Sequence, residues 1–146
     1  MEIGSKYNIF FKQDFFKIEK LPFNQNNTLF FVSGRIAIKY IINQLNIKKC
    51  LIPNYICESV LNCFNNYKLY EINNDLNINY KNLVENINSD TFDLVLIINY
   101  FGYVDSNIEQ IKILCKSKQV LILEDFTHNI FSHNLKDHNF ELSLYY

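Results

Sequence analysis

The chain has 146 residues, with 14 Lys plus Arg against 15 Asp plus Glu, so its formal net charge is −1. This length suits one domain with a sizeable core, and the balanced charge argues against a protein that reads the phosphate backbone of nucleic acids. Hydrophobic residues make up 49% and charged residues 20%, which is typical of a globular chain. The sequence contains no apolar run near the roughly 20 residues of a membrane span, no signal-peptide pattern and no CxxC pair. We therefore expect a cytoplasmic protein with reduced cysteines.

Short apolar runs alternate along the chain with longer segments of helical periodicity. The ranges predicted as strands are 28–32, 50–52, 68–72, 92–98, 119–123 and 142–146. The ranges predicted as helices are 35–45, 58–64, 80–87 and 108–115. Strands that alternate with helices indicate βαβ units, so we expect a three-layer α/β/α fold with a mainly parallel sheet and helices on both faces.

The expected domain organisation is a single domain over 1–146, preceded by an arm or peripheral segment over 1–27. The final run, 142–146 (LSLYY), has the pattern of the first residues of one more strand. We therefore expect the domain to be incomplete at its C-terminal end.

Ligands of an open parallel sheet bind beyond the carboxyl ends of its strands. Ser33-Gly34-Arg35 follows the first predicted strand and opens a helix, where free N–H groups and the helix dipole favour an anion. The simpler interpretation of Ser33 is an ordinary N-cap. Asp125 lies at the mouth of a buried strand, where a carboxylate needs a partner to offset its desolvation, or it caps the following turn. His128, three residues on, could reach the same ligand.

The histidines suggest a metal site, but their spacing does not support one. His128, His133 and His138 lie five residues apart near Asp125, a spacing that does not align side chains on a helix, and no HExxH-like pattern occurs. We therefore expect no metal. The three glycines of the chain form neither GxGxxG nor GxxxxGK[ST], and GxSxG is also missing, which argues against Rossmann, P-loop and α/β-hydrolase sites.

Four strand ends, taken in order, resemble a known family. They are 31–38 (FVSGRIAI), 51–55 (LIPNY), 97–102 (IINYFG) and 123–128 (LEDFTH). Their order and spacing resemble the large domain of the DegT/DnrJ/EryC1/StrS family. Its members are fold-type-I, pyridoxal-phosphate-dependent aminotransferases that aminate nucleotide-linked keto sugars. The resemblance runs from about residue 28 to the end of the chain.

The resemblance implies roles for the residues in the first three motifs. Ser33-Gly34-Arg35 matches the turn that holds the cofactor phosphate. Tyr55 or its neighbour Cys57 supplies the side chain over the pyridine ring, and the choice between them stays open. Asn99 matches a polar residue at a strand end, near the ring hydroxyl.

The fourth motif carries the group that the chemistry needs most. Asp125 matches the aspartate that pairs with the pyridine nitrogen and keeps it protonated, so that the ring can accept electrons. His128 matches a position beside the ring hydroxyl. The family's Schiff-base lysine comes a few tens of residues after the aspartate, and 142–146 resembles the approach to it. Lys136 lies too near Asp125 in the sequence, in a polar turn, to replace that lysine. The resemblance therefore implies that this chain is the cofactor-binding part of an aminotransferase, that it contains no catalytic residue, and that it is inactive alone.

The resemblance also implies partners. These are pyridoxal 5'-phosphate as cofactor, a nucleotide-sugar substrate, an amino-acid amino donor and a second copy in a homodimer, with no nucleic acid and no membrane. The expected role is surface polysaccharide biosynthesis. Two alternatives remain: a non-catalytic remnant or dimerisation module that pairs with a full-length paralogue, and a metal-dependent hydrolase that uses Asp125 and the histidines.

Overall fold

The structure, a computed structural model, describes residues 29–102 and 105–128, together with the backbone of 142–144. The predicted arm over 1–27, Lys136, His133 and His138 lie outside the described residues. Helices α1 to α4 span Gly34–Gln44, Glu58–Leu61, Tyr80–Ser89 and Ile108–Ser117. Strands β1 to β5 span Cys50–Pro53, Tyr67–Tyr70, Leu94–Ile98, Leu121–Asp125 and Leu142–Leu144.

The five strands form one sheet in the order β2-β1-β3-β4-β5, and every neighbouring pair is parallel. The chain moves outward from β1 to β2 and then crosses back over β1 to form β3. The direction of winding therefore reverses between β1 and β3, and such a switch point opens a crevice at the carboxyl ends of the strands. The register places Ile97 beside Glu124 and Ile98 beside Asp125.

Helices cover both faces of this sheet. One face carries α3 and α4, with a core of Leu51, Tyr70, Ile78, Leu83, Ile87, Phe92, Val95, Ile97, Ile108, Ile111, Cys115, Val120 and Ile122. The other face carries α1 and α2, with a core of Ala37, Ile38, Cys50, Ile52, Val60, Cys63, Phe64, Leu94, Leu96 and Leu123. Successive residues of β3 alternate between the two cores, as the two-residue period of a strand requires. The predicted three-layer α/β/α class is therefore confirmed.

The strand predicted over 119–123 begins two residues later, at Leu121, because Gln119 and Val120 form the C-terminal cap of α4. Gln119 has φ 57°, in the left-handed region, and the Val120 N–H donates to the Cys115 carbonyl at 2.9 Å. This pattern satisfies the last carbonyls of a helix. The longest described helix, α1, has 11 residues, and none of the described helices combines the length and apolar character that crossing a membrane requires.

The prediction of a strand over 28–32 is wrong for residues 29–32, the part that the structure describes. Leu29, Phe30 and Val32 are exposed by 66%, 68% and 91%, and no described strand pairs with them. An apolar run becomes a strand only where a neighbouring strand supplies hydrogen bonds and a covered face. Here the segment leads instead into α1, where the Phe31 ring lies 5.0 Å from that of Tyr40.

Candidate functional site

A cavity of about 360 Å³ opens beyond the carboxyl ends of β1, β3 and β4. Its lining residues are Tyr55, Ile56, Cys57, Val60, Ile98, Tyr100, Phe101, Asp125, Thr127 and His128. The volume falls within the roughly 300–1,000 Å³ of small-molecule sites. The cavity lies at the switch point between β1 and β3, where an open α/β sheet is expected to bind its ligand.

Asp125 is the buried acid of this cavity. It is the last residue of β4 and only 5% exposed. Its Oδ1 accepts hydrogen bonds from the Thr127 N–H at 2.8 Å and from the Thr127 hydroxyl. The carboxylate therefore caps the turn that follows β4, which confirms the capping interpretation, and it also lines the cavity, while its role toward a ligand stays a prediction.

Aromatic side chains tie together the three segments that surround the cavity. The Tyr100 hydroxyl donates to the Tyr55 carbonyl, and their ring centroids lie 5.3 Å apart. The Phe101 ring stacks on the His128 imidazole at 5.2 Å, and the Phe101 N–H donates to His128 Nδ1 at 3.4 Å. Burial raises the pKa of Tyr100 above its usual range, so its hydroxyl remains a donor. The segments after β1, β3 and β4 are thus held in one arrangement.

Asn99 does not line the cavity, because it lies on the sheet face that carries α3 and α4. Its Nδ2 donates to Glu124 Oε1 at 2.6 Å, and its main-chain N–H donates to the Asp125 carbonyl at 3.0 Å. Both Asn99 and Glu124 are buried, at 3% and 0% exposure. The ring-hydroxyl role expected of Asn99 stays a prediction.

Glu124 is a second buried acid, adjacent to Asp125 in sequence but on the opposite face. Burial raises its pKa to about 7, opposed by the bond from Asn99 and the charge of Lys112, while the charge of Glu109 adds to the increase. Within the part of the chain that the structure describes, Glu124 Oε2 has no hydrogen-bond partner. This carboxyl therefore carries its proton for part of the time near neutral pH.

Ser33 is the N-cap of α1. Its Oγ accepts from the Ile36 N–H at 3.4 Å, and its carbonyl accepts from the N–H groups of Ile36 and Ala37. Gly34 is buried and Arg35 is exposed. None of the residues 33–35 lines the cavity, so the phosphate site predicted there stays a prediction, while the capping role is confirmed.

The structure brings together four of the residues that the sequence singled out, namely Tyr55, Cys57, Asp125 and His128. Sequence reasoning gave no role to Tyr100 and Thr127, although both fall inside the quoted strand-end motifs. Among residues 29–102 and 105–128, no three His, Cys, Asp or Glu side chains come close enough to hold a metal ion. His133 and His138 lie outside those ranges, so the metal-dependent alternative gains no support.

No protein-family model matches the chain, and no curated protein matches it in sequence. Solved structures do match. They include 3-amino-5-hydroxybenzoic acid synthase (10% identity, TM-score 0.56), S. venezuelae DesV (15%, 0.55) and the aminotransferase TlmJ from Streptoalloteichus hindustanus (16%, 0.55). Each match covers 66% of this chain but only 27%, 28% and 28% of the respective neighbour. The chain thus shares the parallel α/β fold found in a part of these proteins, which is the large-domain fold expected from the sequence.

Proposed function

We propose that this chain is the cofactor-binding part of a pyridoxal-phosphate-dependent aminotransferase that acts on nucleotide-linked keto sugars. The observation that carries the proposal is Asp125, a nearly buried carboxylate that lines a cavity at the switch point of an aminotransferase-like sheet. A carboxylate that faces a cavity can pair with the protonated nitrogen of a ring bound there.

The chemistry of the described residues fits this cofactor. Asp125 offers a negative charge to a ring nitrogen, and the bonds from Thr127 fix the orientation of its carboxylate. Tyr55 and Cys57 lie on the same cavity and offer a surface to a flat ring, while His128 offers imidazole nitrogen atoms at its edge. The N-terminus of α1, at residues 33–35, offers N–H groups and the positive end of a helix dipole to a phosphate.

Pyridoxal phosphate, when bound, supplies an electron-accepting ring. The task of this chain is to hold that ring in one plane and to keep the proton on its nitrogen through the Asp125 carboxylate. Apolar lining from Ile56, Val60 and Ile98 reduces the access of water to the same space. Orientation and charge stabilisation of this kind are what a protein contributes to cofactor chemistry.

The cavity lacks a lysine among its described lining residues. Covalent attachment of the cofactor and proton shuttling both require an amine. We therefore assign to this chain reversible, non-covalent binding of pyridoxal phosphate, without amino-group transfer by the chain alone. The nucleotide-sugar substrate, the amino-acid donor, the cytoplasmic location and the homodimer belong to the same proposal and rest on the family resemblance.

Equilibrium dialysis of the purified chain against pyridoxal phosphate tests the proposal. Saturable binding that a second dialysis reverses is the expected result. Borohydride treatment after the second dialysis, followed by intact-mass spectrometry, should leave the mass unchanged, because only a cofactor that remains joined to an amine would then be fixed. Absence of saturable binding would refute the cofactor assignment, and a mass increase would refute the non-covalent mode.

A dimerisation module is the second candidate, and one observation favours it. Apolar side chains at the start of α1 are exposed, namely Leu29, Phe30, Val32, Ile36 and Tyr40. Five exposed apolar side chains within residues 29–40 favour an interaction site there. Light scattering together with the dialysis experiment tests it: a dimer that binds no pyridoxal phosphate supports the module, and a monomer at all concentrations contradicts it.

A further inference from the structure

The main chain is fixed at Asn99, directly before the turn that forms one wall of the cavity. Asn99 donates from Nδ2 to Glu124 Oε1 at 2.6 Å and to the Asp125 carbonyl at 3.4 Å, and its main-chain N–H donates to the same carbonyl at 3.0 Å. The bond to Glu124 is buried on the face that carries α3 and α4, while the main-chain bond extends the pairing of β3 with β4. The position of Asn99 is therefore set from behind the sheet, while the turn that follows it faces the ligand space.

The Tyr100–Gly102 turn holds a strained conformation. Phe101 has φ 52° and ψ 24°, in the left-handed region that disfavours a bulky residue, and Gly102 follows with φ 88°. Such a conformation is unfavourable for a bulky residue and persists only where the surroundings determine it. On the cavity side Tyr100 is bonded to Tyr55, and Phe101 is stacked on His128.

Glu124 provides the remaining restraint, and stability alone does not explain its presence. The side chain is fully buried, yet Oε2 has no hydrogen-bond partner in the described part of the chain. A buried polar atom without a partner is costly, and an apolar residue of similar volume would remove that cost. Among the described residues, Oε1 alone has a partner, the amide of Asn99.

We propose that Glu124 is a positioning residue that acts through Asn99 to hold the Tyr100–Gly102 turn in the conformation that shapes the cavity. Its effect on ligand binding rests on the proposed function, since this is the cavity assigned to pyridoxal phosphate. Glu124 touches neither the cavity nor a ligand. Its effect is transmitted through one hydrogen bond and one strained turn.

Three variants of the purified chain separate positioning from stability. Glu124→Met removes the acceptor and keeps a side chain of similar length, whereas Glu124→Gln keeps an oxygen that accepts the Asn99 bond. Ile122→Ala is the matched control, since Ile122 lies on the same strand and face but far from the turn. Amide hydrogen exchange of Phe101, taken relative to that of Leu96 in β3, reports the turn without any ligand.

In Glu124→Met we expect the relative exchange of Phe101 to rise about tenfold and the affinity for pyridoxal phosphate to fall about tenfold, the size of one lost buried hydrogen bond. In Glu124→Gln both should stay within about twofold. Ile122→Ala should lower the stability of the whole domain without raising the exchange of Phe101 relative to that of Leu96. If Glu124→Met does not fold, Asn99→Ala removes the same bond from its other end and should give the same pattern.

An unchanged exchange ratio in both Glu124→Met and Asn99→Ala would overturn the proposal. The proposed function fails separately. If the wild type shows no saturable binding of pyridoxal phosphate while Glu124→Met still raises the exchange ratio, positioning stands and the cofactor assignment falls. If the wild type binds and the exchange ratio never changes, the cofactor assignment stands and positioning falls.

Discussion

The carboxyl groups of Glu124 and Asp125 lie on opposite faces of the sheet, although the two residues are neighbours in β4. Asp125 lines the cavity, whereas Glu124 is buried on the face of α3 and α4, where Lys112 and Glu109 influence its charge. The alternation of a strand makes this division unavoidable. One acid is thereby available to a ligand, and the other to the Asn99 amide behind the cavity wall.

Asp125→Asn should weaken the binding of pyridoxal phosphate about tenfold or more, because a charged partner contributes roughly 1.5–3 kcal/mol to a hydrogen bond. The amide oxygen still accepts from Thr127, so the domain should stay folded. Equilibrium dialysis gives the affinity. Asp90→Asn is the control, since Asp90 pairs with Lys49 at the other end of the sheet. Equal affinity of Asp125→Asn and wild type would contradict the role of the carboxylate.

The variant Ser33→Asp distinguishes a role of Ser33 as the N-cap of α1 from a role in binding phosphate. Asp caps a helix about as well as Ser, so the free energy of unfolding should change by less than about 0.5 kcal/mol. A negative charge at this position repels a phosphate, so the affinity for pyridoxal phosphate should fall while that for pyridoxal, which lacks the phosphate, is retained. Parallel titrations with the two compounds measure this. A variant that binds both as well as the wild type does would show that Ser33 is a cap only.

Glu124 should make the domain less stable as pH rises through its titration. Its pKa is raised from 4.5 to about 7 in the folded state, so the folded chain binds more protons than the unfolded chain within that window. The stabilisation is complete below the lower value and lost above the higher one, a difference of about 3 kcal/mol.

Glu124→Gln should remove this dependence and exceed the wild type in stability at about pH 8. Urea unfolding of both proteins at several pH values measures the difference between them. Glu85→Gln, an exposed substitution on α3, serves as the control and should leave the pH dependence unchanged. A difference between Glu124→Gln and wild type that is constant with pH would show that Glu124 does not titrate in this window.

Ile111→Ala should destabilise the domain by about 2–5 kcal/mol, since this fully buried side chain of α4 would leave a cavity in the core. Ile113→Ala, on the same helix but with Ile113 70% exposed, should change stability by less than about 0.5 kcal/mol. Chemical denaturation measures both. Similar losses in the two variants would contradict the assignment of the α4 face that packs on the sheet.

Apolar periodicity predicted most of the fold, because apolar residues recur every two residues in a strand and about every 3.6 in a helix on the side that packs in the core. The continuous apolar run of β3 and the stripe of α4 are examples. The same reasoning failed at Leu29–Val32, since strand formation also needs a partner that a local pattern does not reveal. It also misplaced Gln119, whose left-handed backbone serves the end of α4 and whose side chain gives no sign of that role.

The candidate site was predictable for residues whose position in the sequence, at or just after a strand end, was enough to place them at the cavity. Asp125 and His128 line the cavity because Asp125 ends β4 and His128 follows it at the expected edge of the sheet. Asn99 satisfied the same rule but lies on the other face, because the face depends on the register of β3 to within one residue. The acidic side chain of Glu124 was evident from the sequence, but the lack of a partner for its Oε2 among the described residues, and its link to the turn, needed coordinates.

A crystal structure of the chain with pyridoxal phosphate would test the central claim most directly. We predict that the ring nitrogen lies within about 3 Å of the Asp125 carboxylate, at hydrogen-bond distance. The ring should lie between His128 on one side and either Tyr55 or Cys57 on the other. The phosphate should lie at the N-terminus of α1. A cofactor bound outside this cavity, or one whose phosphate lies against Asp125, would contradict the assignment.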